Sequence, residues 1–433
     1  MKLMKSLFLG TAAGFAAVAG AQAADLPSKK AAPVEYVRIC SQFGAGFFYI
    51  PGSDTCLKVS GRVRADYIYG EPFTRAANAL TFRARGYLAL DSYTATDWGP
   101  VRATTRVFVT KDTGSAYSTT LDWAYIQFAG ITAGKAAVSF FDFAPFGGVS
   151  YLGGGANGRG SDEGDVNVLA YTATFGGGFS ATIALEDGRA AETRNVGFGT
   201  PAGPIRVDGT LLATGTSTFG GQNMPDVVGR LDYAGSWGAA MLAGAVHQTR
   251  VGVGTIATNL TPAGTILDTE YGFAVQAGVK INLPMLAPGD ALFLQAAYAD
   301  GANSYTGWGT AGAGTLSLPS TDVIYDAFGN AKLTKTWSIT GGLLHFWMPT
   351  LRQGVYAAYG NINHYGPWYD ASAVSVGTNL IWTPVRGLDI GAEVGYQYLT
   401  DKPNFLLLPA NAGTLIGSDS GQWFGRVRFQ RDF

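Results

Sequence analysis

Leu57-Lys58-Val59-Ser60-Gly61-Arg62-Val63-Arg64-Ala65-Asp66-Tyr67-Ile68-Tyr69 alternates apolar and polar side chains almost without a break. Leu57, Val59, Val63, Ala65, Tyr67 and Tyr69 share one parity with Gly61. Lys58, Ser60, Arg62, Arg64 and Asp66 share the other, which ends on Ile68. Successive side chains of an extended chain point to opposite faces, so this stretch reads as a strand with one dry and one wet face. The same period returns in residues 271–282. There Tyr271, Phe273, Val275, Ala277, Val279 and Ile281 oppose Gly272, Ala274, Gln276, Gly278, Lys280 and Asn282. It returns again in 388–399, where Leu388, Ile390, Ala392, Val394, Tyr396 and Tyr398 oppose Asp389, Gly391, Glu393, Gly395 and Gln397.

Carried along the chain, this pattern predicts sixteen strands. They start near Leu57, Ala79, Pro100, Leu121, Thr132, Asn167, Phe179, Asp226, Ala239, Glu270, Asp290, Lys335, Arg352, Ala373, Leu388 and Gln422. Most run for about 8–13 residues, close to what a tilted strand needs to cross a bilayer. Residues 322–335 either extend the twelfth strand or form a hairpin within a loop. Short links (129–131, 176–178, 234–238, 283–289, 348–351 and 384–387) alternate with long ones (142–166, 188–225, 250–269, 301–334, 361–372 and 400–421). In an up-and-down meander every second link lies at the same end, so one end is trimmed and the other decorated. A soluble sandwich has no physical reason to sort its loops in this way. The expected fold is therefore all-β: a transmembrane antiparallel up-and-down barrel of sixteen strands, with short periplasmic turns and long external loops. The closing strand fits, with Trp423, Gly425, Val427, Phe429 and Phe433 on one parity, Arg431 interrupting it, and Arg426 and Arg428 on the other. A strand flush with the terminus can pair with the first and leave no edge in lipid. Phe433 is the expected C-terminal assembly signal.

The whole chain agrees with a membrane barrel. Of 433 residues 47% are hydrophobic and 14% charged, which excludes a disordered chain. A net charge of -1 lacks the basic excess of a nucleic-acid binder. Lys2 and Lys5, the apolar run 7–19 and Ala21-Gln22-Ala23 make the three parts of a secretory signal peptide, with cleavage expected after Ala23. The expected organisation is a signal peptide over 1–23, a periplasmic amino-terminal segment over 24–56 and the barrel over 57–433. No later segment has the uninterrupted apolar run of about 18 residues that a membrane helix needs. The two cysteines, Cys40 and Cys56, are too few for a disulfide-built scaffold. Export carries them to an oxidising compartment, where they are expected to form one structural disulfide.

Sixteen strands leave an aqueous lumen rather than a packed core. The apolar parity then faces lipid and the polar parity faces water. Arg426 and Arg428 on the last strand, Arg62 and Arg64 on the first, Arg83 and Arg85 on the second, and Arg102 and Arg106 on the third form one basic wall once the barrel closes. On the lipid side each guanidinium would cost about 2–4 kcal/mol at mid-depth.

Residues 36–64 (YVRICSQFGAGFFYIPGSDTCLKVSGRVR) resemble the opening of the alphaproteobacterial trimeric outer-membrane porins. So do 131–143 (ITAGKAAVSFFDF), 169–187 (LAYTATFGGGFSATIALED), 338–353 (SITGGLLHFWMPTLRQ) and the closing RFQRDF. The resemblance covers nearly all of the exported chain. It implies a homotrimer of water-filled pores in contact with outer-membrane lipid. It also implies that the third external link, 142–166, folds inward and narrows the pore. That link carries Asp142, Asp162, Glu163 and Asp165 with a single Arg159, and its glycines let it bend sharply. Its carboxylates are expected to face the arginine wall, as opposed charges that set ion preference and orient polar solutes.

Several motifs point elsewhere and fail. Residues 153–158 match G-x-G-x-x-G, yet the flanks lack the strand, the helix and the distal acid of a dinucleotide site. His247, His345 and His364 lack metal-ligand spacing and are expected at the rim or in the lumen. No serine sits in a nucleophile elbow. No catalytic residue, metal or cofactor is expected. Trp98, Trp123, Trp237, Trp337, Trp347, Trp382 and Trp423 lie near strand ends, where interfacial girdles belong. The expected function is that of a general diffusion porin, passing ions and small hydrophilic solutes passively. The alternative is a solute-specific outer-membrane channel.

Overall fold

The structure is a computed structural model that describes residues 38–72, 75, 77–136, 139–143, 149–150, 166–187, 205–207, 210–212, 223–249, 269–308, 322–325, 331–364, 370–401 and 420–433. Sixteen long antiparallel strands form one sheet. They are β1 (Thr55–Gly70), β2 (Leu80–Thr94), β3 (Val101–Asp112), β4 (Tyr117–Phe128), β5 (Ile131–Ala136), β6 (Val166–Gly176), β7 (Phe179–Glu186) and β8 (Asp226–Gly235), followed by β9 (Gly238–Thr249), β10 (Glu270–Asn282), β11 (Ala291–Asp300), β12 (Lys335–Met348), β13 (Leu351–Asn363), β14 (Ala371–Val385), β15 (Leu388–Asp401) and β16 (Ser420–Asp432). Each pairs with its sequence neighbour. β16 returns to β1 in a register running from Arg62 opposite Asp432 to Gly70 opposite Phe424. Beyond it, the N–H groups of Gly61 and Phe433 each donate to the other's carbonyl, at 2.9 and 3.0 Å. The sheet is closed, and no backbone edge meets the apolar phase.

The alternation sorts side chains as expected. Val63, Tyr67, Phe82, Leu88, Val275, Val376 and Phe429 lie exposed on the outer surface, while Asp66, Gln276, Thr340, Ser375, Arg426 and Arg428 are covered on the inner one. A soluble fold would have the reverse.

Several details differ from the sequence reading. β4 begins at Tyr117 rather than near Leu121, because the polar run 117–120 continues the ladder with β3. Its register slips between Arg106 and Val107, where Trp123 and Leu121 are their partners, leaving Asp122 as an extra residue. This β-bulge re-aims the chain. Trp123 therefore belongs to the inner wall, with the Arg106 guanidinium 3.2 Å from its ring centroid, and not to an outer girdle. Residues 322–335 resolve into a separate hairpin, Val323–Tyr325 with Ala331–Leu333, followed by β12. The sorting of links is not strict. Residues 113–116 and 364–370, at the long-loop end, are no more extended in sequence than residues 283–290 at the other.

At the short-turn end a two-residue strand, Phe48–Tyr49, pairs with the start of β1. Cys40 and Cys56 are joined there by a disulfide with Cα atoms 6.0 Å apart. β1 begins at Thr55, two residues before the expected Leu57, so Cys56 is the second residue of the strand. Phe43, Phe47, Tyr49 and Tyr93 pack around the bridge.

Candidate functional site

The eight arginines come together on β16, β1, β2 and β3, all on the inner face. Register fixes their neighbours. Arg64 lies opposite Arg85 on β2 and Gln430 on β16, and Asp66 lies opposite Arg83 and Arg428. Carboxylates on the same wall partner most of them. Arg62 Nε donates to Asp432 at 2.5 Å, Arg83 donates two bonds of 2.7 Å to Asp112, and Arg102 Nη2 donates to Asp91 at 2.8 Å. Arg106 pairs with Asp122. Asp66 is fully covered; it accepts from Arg428 Nε at 2.6 Å and lies 3.9 Å from Arg426. Asp66 was visible on the wet parity of β1, but its partners follow only from strand register.

The link between β5 and β6 turns inward. At its start, Ser139 Oγ and the Phe140 N–H each donate to Glu186 on β7 at 2.7 Å. Arg230 on β8 donates to the Asp142 carbonyl oxygen at 2.7 Å, and Gln276 on β10 to that of Phe141 at 3.2 Å. Further on, the Val149 carbonyl accepts from Asn379 on β14 at 2.7 Å, and Ser150 Oγ donates to Glu393 on β15 at 3.2 Å. The described residues of the link thus lie against the inner wall, 139–143 on β7, β8 and β10 and 149–150 on β14 and β15. Two glycines make room for it. A Cβ on Gly278 would meet the Phe143 ring at 2.5 Å, and one on Gly354 would collide with the Val149 carbonyl. Asp142 is fully buried beside Arg230, half a circumference from the arginine wall. Asp162, Glu163 and Asp165 lie outside the described residues, as do Arg159 and residues 153–158.

A second inward segment was not read from the sequence. Residues 302–308 carry a short 3-10 turn, Asn303–Thr306, with Tyr305 and Trp308 fully buried. Tyr305 packs edge-on against Phe141, ring centroids 4.6 Å apart, and its hydroxyl donates to Asp226 at 2.7 Å. His247 Nδ1 lies 2.9 Å from both Asp226 oxygens, and Nε2 lies 3.7 Å from Asp322. Asp322 accepts from the Asn303 N–H at 2.7 Å. Burial pushes the Asp322 carboxyl up to about 7, against the pull of His247. The other histidines lie at the ends of strands. His345 Nδ1 is 2.6 Å from Asp290, and the His364 N–H donates to Asp370 at 3.0 Å. Among the described residues no group of three or more His, Cys, Asp or Glu is arranged to hold a metal ion.

A closed barrel with a charged, water-facing interior and an apolar exterior can conduct. Comparison with known proteins agrees. Residues 25–420 match the family described as the porin subfamily. The chain is 29% identical to porin Omp2b of Brucella suis biovar 1 (strain 1330) over 446 residues, covering 99% of both chains. Identity and coverage are the same for porin Omp2b of Brucella abortus (strain 2308). Among solved structures, the outer membrane channel DcaP of Acinetobacter baumannii superposes with a TM-score of 0.62 at 15% identity, covering 89% of this chain and 99% of that one. The trimer form of in-vitro folded OmpT, an outer membrane protein of Vibrio cholerae, gives 0.50 at 9% identity, covering 88% and 100%. These structures share the fold. The chain belongs to the porin subfamily, and it is a diffusion channel of the outer membrane.

Proposed function

We propose that this channel is a general diffusion porin that works as a homotrimer and is narrowed by its own segment 142–166. A signal peptide, 1–23, delivers it, and the segment 24–56, tied by Cys40–Cys56, lies on the periplasmic side. The observation that carries this reading is the inward placement of residues 139–143 and 149–150, at and just before that segment, fastened to β7, β8, β10, β14 and β15. Asp142 roots it beside Arg230, and Asp162, Glu163 and Asp165 face the wall of Arg62, Arg64, Arg83, Arg85, Arg102, Arg106, Arg426 and Arg428 across water. Opposed fixed charges make a transverse field that orients polar solutes and sets ion preference. Phe433 marks the chain end for assembly, and its pairing with Gly61 at the seam supports that role. The trimer form of the Vibrio cholerae protein supports the oligomer.

Planar-bilayer reconstitution under salt gradients tests the reading. Conductance should rise in groups of three equal steps, and permeation of neutral sugars should fall with solute size without saturating. Neutralising Arg62, Arg64, Arg83 and Arg85 in turn should change ion preference. Unaltered preference in all four variants would remove the role given to the wall. A purified protein that stays monodisperse in detergent-free buffer and carries no current would remove the channel itself.

A further inference from the structure

Six of the eight wall arginines have a carboxylate within 4.0 Å: Arg62, Arg83, Arg102, Arg106, Arg426 and Arg428. Arg64 and Arg85 have none among the described residues, and they stand directly opposite each other on β1 and β2. Arg85 reaches only neutral oxygens, with Nε donating to Thr110 Oγ1 at 2.8 Å and Nη1 to the Tyr87 hydroxyl at 3.2 Å. Arg64 Nε is buried and has no hydrogen-bond acceptor among the described residues.

The two side chains meet at one ring. The guanidinium carbons of Arg62, Arg64, Arg85 and Arg106 lie 5.7, 5.5, 5.9 and 5.3 Å from the Tyr87 ring centroid. Asp432 and Asp122 balance Arg62 and Arg106, so the cluster keeps two positive charges in excess. A guanidinium presents a rigid fork of donors that matches two oxygens of one oxyanion. Like charges held together in a partly covered site repel more strongly than in bulk water, and a counter-anion relieves that repulsion.

We infer that Arg64 and Arg85 form a discrete anion subsite on the lumen wall that takes a small doubly charged oxyanion bearing carboxylate or phosphate oxygens. The inference rests on the porin reading and narrows it: the wall holds one class of solute at one place as it passes. The other six arginines, answered by five aspartates because Arg426 and Arg428 share Asp66, shape the field around that place.

The test uses single channels of the full protein in chloride, with succinate and inorganic phosphate as separate probes and acetate as the singly charged reference. In the wild type, succinate or phosphate should lower the chloride current in a saturable way, and acetate should do so far more weakly. The two probes tell carboxylate from phosphate; block by either supports the subsite, and block by neither overturns it. Replacing both residues, Arg64→Gln with Arg85→Gln, should raise the half-blocking concentration about tenfold, equivalent to about 1.4 kcal/mol. The single variants should give smaller shifts in the same direction, and they carry the test if the double variant does not fold. Arg352→Gln serves as the control, because Arg352 lies elsewhere on the inner wall and is paired with Asp389. It should leave the half-blocking concentration unchanged. Arg64→Lys with Arg85→Lys should keep the ion preference and lose the block, since lysine keeps the charge without the fork. Equal weakening in the control, or wild-type block in the lysine pair, would overturn the subsite while the channel stands. A wild-type protein without conductance would overturn the channel reading beneath it.

Discussion

Asp66 has a fully covered side chain and two arginines from β16 within 4.0 Å. It sits at the seam where the last strand meets the first, so it binds the closure electrostatically as well as through the ladder. Removing one partner of a covered ion pair leaves the other's charge uncompensated. Asp66→Asn should therefore destabilise the folded barrel by about 3 kcal/mol. The temperature at which the compact form converts to the unfolded one on a gel reads this directly, and an unchanged value would show that water in the lumen already screens the pair. At this scale the sequence was partly legible. Period two told which side chains are wet, and it put all eight arginines on the wet face. It could not tell which aspartate meets which arginine, because that depends on register between strands as far apart as residues 62 and 432. Trp123 shows another limit. One extra residue, Asp122, reverses the parity after it, and nothing in the composition of β4 announces the bulge.

Elements show where alternation stops being informative. Strand order and most strand starts were legible because each strand has a lipid face that must be apolar. The two inward segments, 139–143 and 302–308, have no period, and their contacts come from single side chains such as Glu186, Arg230 and Asp226. Even so, the glycines beneath the first segment left a trace. A bulkier residue at position 354 competes with the Val149 carbonyl for the same space. Gly354→Leu should lift the segment from the wall and raise single-channel conductance, and unchanged conductance would show that the segment does not narrow the pore. For the second segment the titration of Asp322 gives a signed prediction. Its folded value, about 7, is raised above that of an unfolded aspartate, so its contribution to stability is present at low pH and is lost as pH rises through about 7. Relative to Asp322→Asn, the wild type should lose thermal stability on going from about pH 6 to about pH 8. The paired measurement subtracts the other groups packed at that point, Asp226, His247 and Tyr305. Parallel pH curves for the two proteins would contradict the assignment.

For the whole molecule, the apolar exterior and polar interior follow from one rule: lipid and water lie on opposite sides of a single sheet. That rule made the fold class legible and the loops illegible, since loops meet water on every side. The disulfide adds a separate restraint at the short-turn end. In the chain-entropy model, closing its loop is worth about 3 kcal/mol. Cys40→Ser should therefore lower the unfolding temperature of the barrel while leaving conductance close to wild type. A large change in conductance would mean that the amino-terminal segment takes part in permeation.

The seam joins residues 370 positions apart in the chain. No wall is complete until β16 has been released, exported and delivered to its partner β1. A messenger cut short, or a chain clipped near its tail, thus yields a curled fragment with two raw borders rather than a leaky half-tube. The cell is spared an uncontrolled hole by the same geometry that gives it a controlled one.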